Sequence, residues 1–138
     1  MTKSFCLDFE ILVDRLRHRL GEDLIAVYLY GSFAHGQPRP DSDVDLAVLT
    51  RQPVPQERLF EMALDLAGLV GRDVDLVDLN KVPTVLQMQI ISHGHRLYCG
   101  DLFLCERFEA HVLSDYVDLN ERRAGILQDI RNRGSVYG

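Results

Sequence analysis

Leu24-Ile-Ala-Val-Tyr-Leu-Tyr30 runs straight into Gly31-Ser-Phe-Ala-His-Gly36, and after a polar segment Ser42-Asp43-Val44-Asp45-Leu46 opens a second apolar run. Seven consecutive apolar residues rich in strand formers and stopped by glycine specify a central strand buried on both faces. Gly31 lets the backbone approach an anion with no Cβ in the way, and Ser32 offers a hydroxyl and an N–H to a phosphate. In an extended strand, side chains two apart share a face, so Asp43 and Asp45 project together with about 6.5 Å of backbone rise between them. Two carboxylates so placed can share a hard divalent cation such as Mg²⁺, whose remaining positions go to water and to nucleotide phosphate oxygens. By itself Asp-x-Asp at a strand's start also reads as a solvated turn. With the Gly-Ser turn nearby, it reads as metal beside phosphate, the pairing that nucleotide transfer requires.

Outward from this stretch the pattern alternates. Phe9, Leu12, Val13, Leu16 and Leu20 recur at helical spacing and Gly21 stops them. Val44 to Thr50 reads as a second strand and Arg51 to Pro55 as a loop. Residues 56–70 read as a helix with Leu59, Phe60, Met62, Ala63, Leu66 and Ala67 along one side. Val74 to Leu79 is a third strand; Pro83 opens a helix bearing Val85, Leu86, Met88, Ile90 and Ile91 that stops at His93-Gly94, and Arg96 to Cys99 is a short edge strand. From Asp101 to about Arg133 the chain is helical, with Leu104, Phe108, Val112 or His111, Tyr116, Leu119, Ile126, Leu127 and Ile130 roughly in phase. Gly125 weakens it by ~1 kcal/mol relative to Ala. The tail from Gly134 to Gly138 is expected to fray. These elements predict an α/β (α+β) domain whose core spans residues 1–100, with 101–138 as a C-terminal helical extension of the same domain.

Composition narrows the partners. A chain of 138 residues with 46% hydrophobic and 26% charged content has room for one core and one cleft. A formal charge of −6 argues against a broad phosphate-binding surface for nucleic acid, so nucleotide is the expected ligand rather than polymer. Cys6, Cys99 and Cys105 lack metal-type spacing and read as reduced structural thiols, which favours the cytoplasm. No apolar run reaches the ~18 residues that span a bilayer, and Met1 to Phe5 shows no signal core, so no membrane association is expected.

Displacement at phosphorus is helped by two metals and by a base for the attacking hydroxyl. Strand three offers Asp73, Asp75 and Asp78. If it pairs beside strand two, Asp75 lies near Asp43 and Asp45, while Asp73 at the strand mouth shares its face and is the rival third carboxylate. Asp78 falls out of phase and reads as a loop or capping residue.

The segments Gly31-Ser-Phe-Ala-His-Gly36, Ser42-Asp43-Val-Asp45-Leu46 and Val74-Asp75-Leu-Val-Asp-Leu79, followed by Val82-Pro83, resemble the minimal nucleotidyltransferase (MNT) family of the polymerase-beta-like superfamily. The resemblance covers roughly residues 7–100, and the tail helices resemble the antitoxin partners of HEPN ribonuclease toxins. It implies a small mixed sheet of about four strands flanked by helices. It also implies Asp43, Asp45 and Asp75 as catalytic and metal residues, Gly31 and Ser32 at the triphosphate, Mg²⁺ (two ions) as cofactor and ATP as co-substrate. In the antitoxin branch the acceptor is a tyrosine hydroxyl on the cognate HEPN toxin, whose RNase activity adenylylation silences. One departure is His35, where many members carry Arg; His35 reads either as a weaker phosphate cation or as a surface turn residue, with Arg39 the other candidate cation. Competing readings are a small-molecule (antibiotic) nucleotidyltransferase, which normally needs a further domain for the drug, and a non-catalytic antitoxin acting by occlusion through the 101–133 helices. A nucleic-acid polymerase fragment is disfavoured by the charge.

Overall fold

The computed structural model describes residues 8–36 and 42–137, with side chains as far as Asn132. Cys6, Pro38, Arg39, Pro40 and Gly138 lie outside the described residues. Helix α1 (Phe9–Leu20) leads through a 3₁₀ turn into strand β1 (Leu24–Tyr30), and β2 (Val44–Thr50) follows the polar segment. Then come α2 (Gln56–Val70), β3 (Val74–Asp78), α3 (Thr84–His93), β4 (His95–Cys99) and α4 (Leu102–Tyr137).

The four strands form one mixed sheet in the order β3-β2-β1-β4. β1 pairs antiparallel with both β2 and β4, whereas β2 and β3 run parallel, joined by α2. The central position of β1 follows from its sequence, since its apolar run can bury both faces: six of its seven residues are buried. On one face α1 and α2 supply Leu12, Leu16, Leu59, Met62 and Leu66 against Val44, Leu46, Val48 and Leu76. On the other face α3 and α4 supply Ile90 and Cys105 against Tyr28, Ala47, Leu49 and Leu79. Odd-numbered residues of β2 and β3 therefore point to the α3/α4 side, which decides where the aspartates go.

Several expectations are corrected. Phe60 is 63% exposed, because Leu59, Met62 and Leu66 fix the inward line of α2 and leave Phe60 a quarter turn away. β3 ends at Asp78 rather than Leu79, and β4 begins at His95 rather than Arg96. The C-terminal stretch is one continuous 36-residue helix running through Gly134 to Tyr137 instead of ending at Arg133; a single glycine costs a helix about 1 kcal/mol without stopping it. Buried Asp78 accepts hydrogen bonds from the N–H groups of Val54 and Asn80, a capping role that pins the loop after β2. Cys99 and Cys105 are free thiols whose Sγ atoms lie 3.1 Å apart across the β4–α4 junction. No helix is long and apolar enough to cross a membrane among the described residues.

Candidate active site

The site forms where β1 ends and β2 and β3 begin, on the α3/α4 side. Parallel pairing sets Asp45 level with Asp75, and antiparallel pairing sets Asp45 level with Tyr30 on the other side. Neighbouring strands lie about 4.8 Å apart, so Asp75, Asp45 and Tyr30 form a row across the sheet. Asp43 lies two residues before Asp45 and is exposed, as is Asp75. Asp73 sits before β3, where its carbonyl accepts the Val44 N–H.

Electrostatics show which carboxylates act as a group. Burial, then Asp75, then Asp43 push the Asp45 carboxyl from 3.8 up to about 6. Burial and the same two charges, Asp75 before Asp45, raise the Tyr30 phenol well above its usual range. Asp73 is not among the charges acting on either residue. Like charges gathered at a partly buried point repel unless a cation joins them, and oxygen donors of this kind fit a hard divalent ion. Among the described residues no three acidic, imidazole or thiol side chains are grouped so that they could hold a metal ion by themselves. Asp43 and Asp75 are exposed and Asp45 half-buried, which suits an ion that takes most of its coordination from substrate phosphates and water.

Gly31 meets this group directly. Its φ of +76° is left-handed, and a Cβ there would fall onto Asp45 Oδ2 and within 3.0 Å of its Cγ. Glycine is thus required twice over, once by the turn and once by the carboxylate lying on it. The turn itself is a helix-like coil in which the Gly31 carbonyl accepts from the N–H groups of Ala34 and His35. The Ser32 and Phe33 N–H groups have no partner among the described residues and are available to an anion.

Three contacts outside the predicted motif hold the turn in place. Phe33 packs edge-on against Phe9, the ring centroids 6.4 Å apart. The Arg72 guanidinium lies 5.2 Å over the Phe33 ring and also donates to the Ser42 carbonyl, linking the turn to the segment that carries Asp43. His95 Nε2 bonds the Ala34 carbonyl at 2.8 Å. Sequence reading sought a cation at His35 and Arg39 and missed Arg72, whose signal was its place two residues before the third strand. His35 is exposed at the turn's end.

A mixed sheet that presses a glycine–serine turn against strand-borne aspartates is the framework of a nucleotidyltransferase. The family model described as Polymerase beta, Nucleotidyltransferase matches residues 12–102, and the chain belongs to that family. It is 36% identical over 104 residues to the protein adenylyltransferase MntA of Shewanella oneidensis strain MR-1, a match covering 75% of this chain and 74% of the relative. A crystal structure of a toxin–antitoxin with AMP-PNP aligns with a TM-score of 0.77 and 33% identity, covering 88% of this chain and 97% of that one. A structure of the tri-AMPylated Shewanella oneidensis HEPN toxin in complex with MNT antitoxin aligns with a TM-score of 0.72 and 31% identity, covering 88% and 93%.

Proposed function

We propose that this chain is the antitoxin of a toxin–antitoxin pair, a Mg²⁺-dependent protein adenylyltransferase that moves AMP from ATP to a tyrosine hydroxyl of a cognate HEPN ribonuclease toxin. The observation that carries the reading is the row Asp75–Asp45–Tyr30 with Gly31 beneath the Asp45 carboxylate. The likeness to MntA and to the complex of a tri-AMPylated toxin supports the choice of protein as acceptor.

Asp43 and Asp45 are the residues that would hold Mg²⁺, with Asp75 completing the set for two ions. Such an ion, when bound, neutralises charge on the triphosphate and on the departing pyrophosphate. Ser32 and the free N–H groups of the turn orient the phosphates. Asp75, exposed at the end of the row, takes the proton of the acceptor hydroxyl. The acceptor oxygen then bonds the α-phosphorus, the bridge to the β-phosphate breaks, and pyrophosphate leaves. The division into a core over 1–100 and an extension over 101–138 belongs to this reading, as does a cytoplasmic location; the family match ending at residue 102 supports the former.

Intact mass measurement of the partner toxin co-expressed with wild-type or Asp43→Asn chain tests the proposal. The expected result is one or more adenylyl increments on a tyrosine with wild type and none with Asp43→Asn. Neutralisation without any increment would refute catalysis and leave the occlusion reading, which the exposed Leu113, Val117, Ile126, Leu127 and Ile130 of α4 favour.

A further inference from the structure

At the end of the sheet away from the aspartates, two cysteines meet. Cys99 closes β4 level with Ala26 of β1, and Cys105 lies in the first turn of α4. Their Sγ atoms are 3.1 Å apart, one thiol donating to the other, so a disulfide at about 2.05 Å asks each sulfur to swing by only about 0.5 Å. The turn between them is fixed on both sides. The Gly100 N–H donates to the Ile25 carbonyl at 2.7 Å, and the Cys105 sulfur lies 3.8 Å from the same oxygen. The Asp101 carboxylate accepts from the Leu104 N–H at 3.1 Å and caps α4. A buried cysteine packs as a small apolar side chain wherever it sits, and packing alone calls for no second thiol at this distance.

The two sulfurs have unlike surroundings. Cys99 is half-buried, whereas Cys105 is fully buried. A small oxidant arriving from solvent meets Cys99 first, and Cys105 meets only Cys99. Burial, then the hydrogen bond and charge of Cys99, push the Cys105 thiol up to about 12; the Arg96 guanidinium opposes them and Glu109 adds to them. Cys105 thus keeps its proton while Cys99 reacts. Once oxidised, Cys99 carries no thiolate charge, and that part of the hold on the Cys105 proton is gone.

We infer that Cys99 and Cys105 are a peroxide-responsive thiol pair that closes to an intramolecular disulfide and reopens on reduction by a dithiol. The Cys99 sulfur attacks one oxygen of hydrogen peroxide, the O–O bond breaks, and a water leaves as Cys99 becomes a sulfenic acid. The Cys105 sulfur then bonds the Cys99 sulfur, the S–O bond breaks, and the hydroxyl departs with the Cys105 proton as a second water. The thiols together lose two electrons, which reduce the peroxide to water. The new bond fastens the first turn of α4 to the end of β4. It is independent of nucleotidyl transfer, since neither cysteine lies at the aspartates.

Trypsin cuts after Arg96 and Arg107, so both cysteines fall in peptide 97–107. The full chain is treated with hydrogen peroxide, unfolded in urea with excess N-ethylmaleimide, digested and weighed. The expected peptide lacks two hydrogen atoms and carries no maleimide, and dithiothreitol given before the maleimide restores two. In Cys105→Ala, Cys99 should stop at the sulfenic acid and take dimedone. The closed pair should also raise Tm by about 5–10 °C in scanning calorimetry, the shift expected for cross-linking a loop this short. A wild-type peptide that still takes two maleimides after peroxide, or one with Cys99 carried on to the sulfinic acid beside a free Cys105, would overturn the inference. A disulfide from Cys6 to either cysteine would overturn it as well. An unchanged or lower Tm would refute the fastening of α4.

Discussion

Gly31→Ala tests the contact on which the site is built. The backbone at Gly31 has φ +76°, where an L side chain costs about 1–2 kcal/mol. The new methyl also lands on the Asp45 carboxylate, which must leave its rotamer at a further cost of about 0.5–1.5 kcal/mol. The sum of about 1.5–3.5 kcal/mol corresponds to a fall in Tm of roughly 6–14 °C for a chain of this size. The two parts separate in a double-mutant cycle with Asp45→Ala, where no carboxylate stands in the way and only the backbone part remains. Scanning calorimetry should then show a coupling of about 1 kcal/mol between positions 31 and 45. Because displacement of a reacting group by about 1 Å costs about 100-fold in rate, Gly31→Ala should also lose at least that factor in transfer from α-labelled ATP. Equal cost in both backgrounds, or transfer at the wild-type rate, would refute the packing of Asp45 on Gly31.

Other predictions follow from the same geometry. Because Asp45 keeps its proton to about pH 6 in the folded chain against 3.8 unfolded, the folded state binds more protons between these values. Stability of the metal-free protein should therefore fall as pH rises from about 4 to 6 and level off above; melting curves across that range that rise instead would contradict it. Asp43→Asn removes one of the charges acting on Asp45 and should flatten this slope while abolishing label transfer. Mg²⁺ affinity, which needs the ionised carboxylate, should climb through pH 6 in calorimetric titration. Asp78→Ala leaves the buried Val54 N–H without its acceptor and should cost about 2–4 kcal/mol in urea unfolding, with transfer per folded molecule unchanged. In hydrogen exchange, amides of residues 120–132, whose side chains are all exposed, should exchange orders of magnitude faster than those of 104–112.

Much of this architecture is legible in the sequence where one physical cause acts alone. A strand buried on both faces must be apolar throughout, so β1 shows its ends without ambiguity. Asp75 could be favoured over Asp73 on the supposition that the third strand lies beside the second, and parallel pairing sets Asp75 level with Asp45. What escaped notice depends on two distant segments meeting. The lie of Asp45 on Gly31 needs the β1–β2 register, the thiol pair needs the angle between β4 and α4, and the hold of Arg72 on Phe33 needs the whole sheet between them. Phe60 was misplaced because a pattern of apolar residues does not say which edge of a broad stripe the core reaches.

The long helix α4 has a mechanical consequence. Its last fully buried side chain is Val112, and at 1.5 Å per residue Asn132 stands about 30 Å further along the axis. Anything gripping those outer turns acts through a lever. A tilt of 5° at the root, where Cys105 and Phe108 are wedged against the sheet, moves the far end by about 3 Å at that length. Substitutions at these root residues should therefore change where the tip points as well as the melting temperature, and a spin label near residue 132 would read that angle directly.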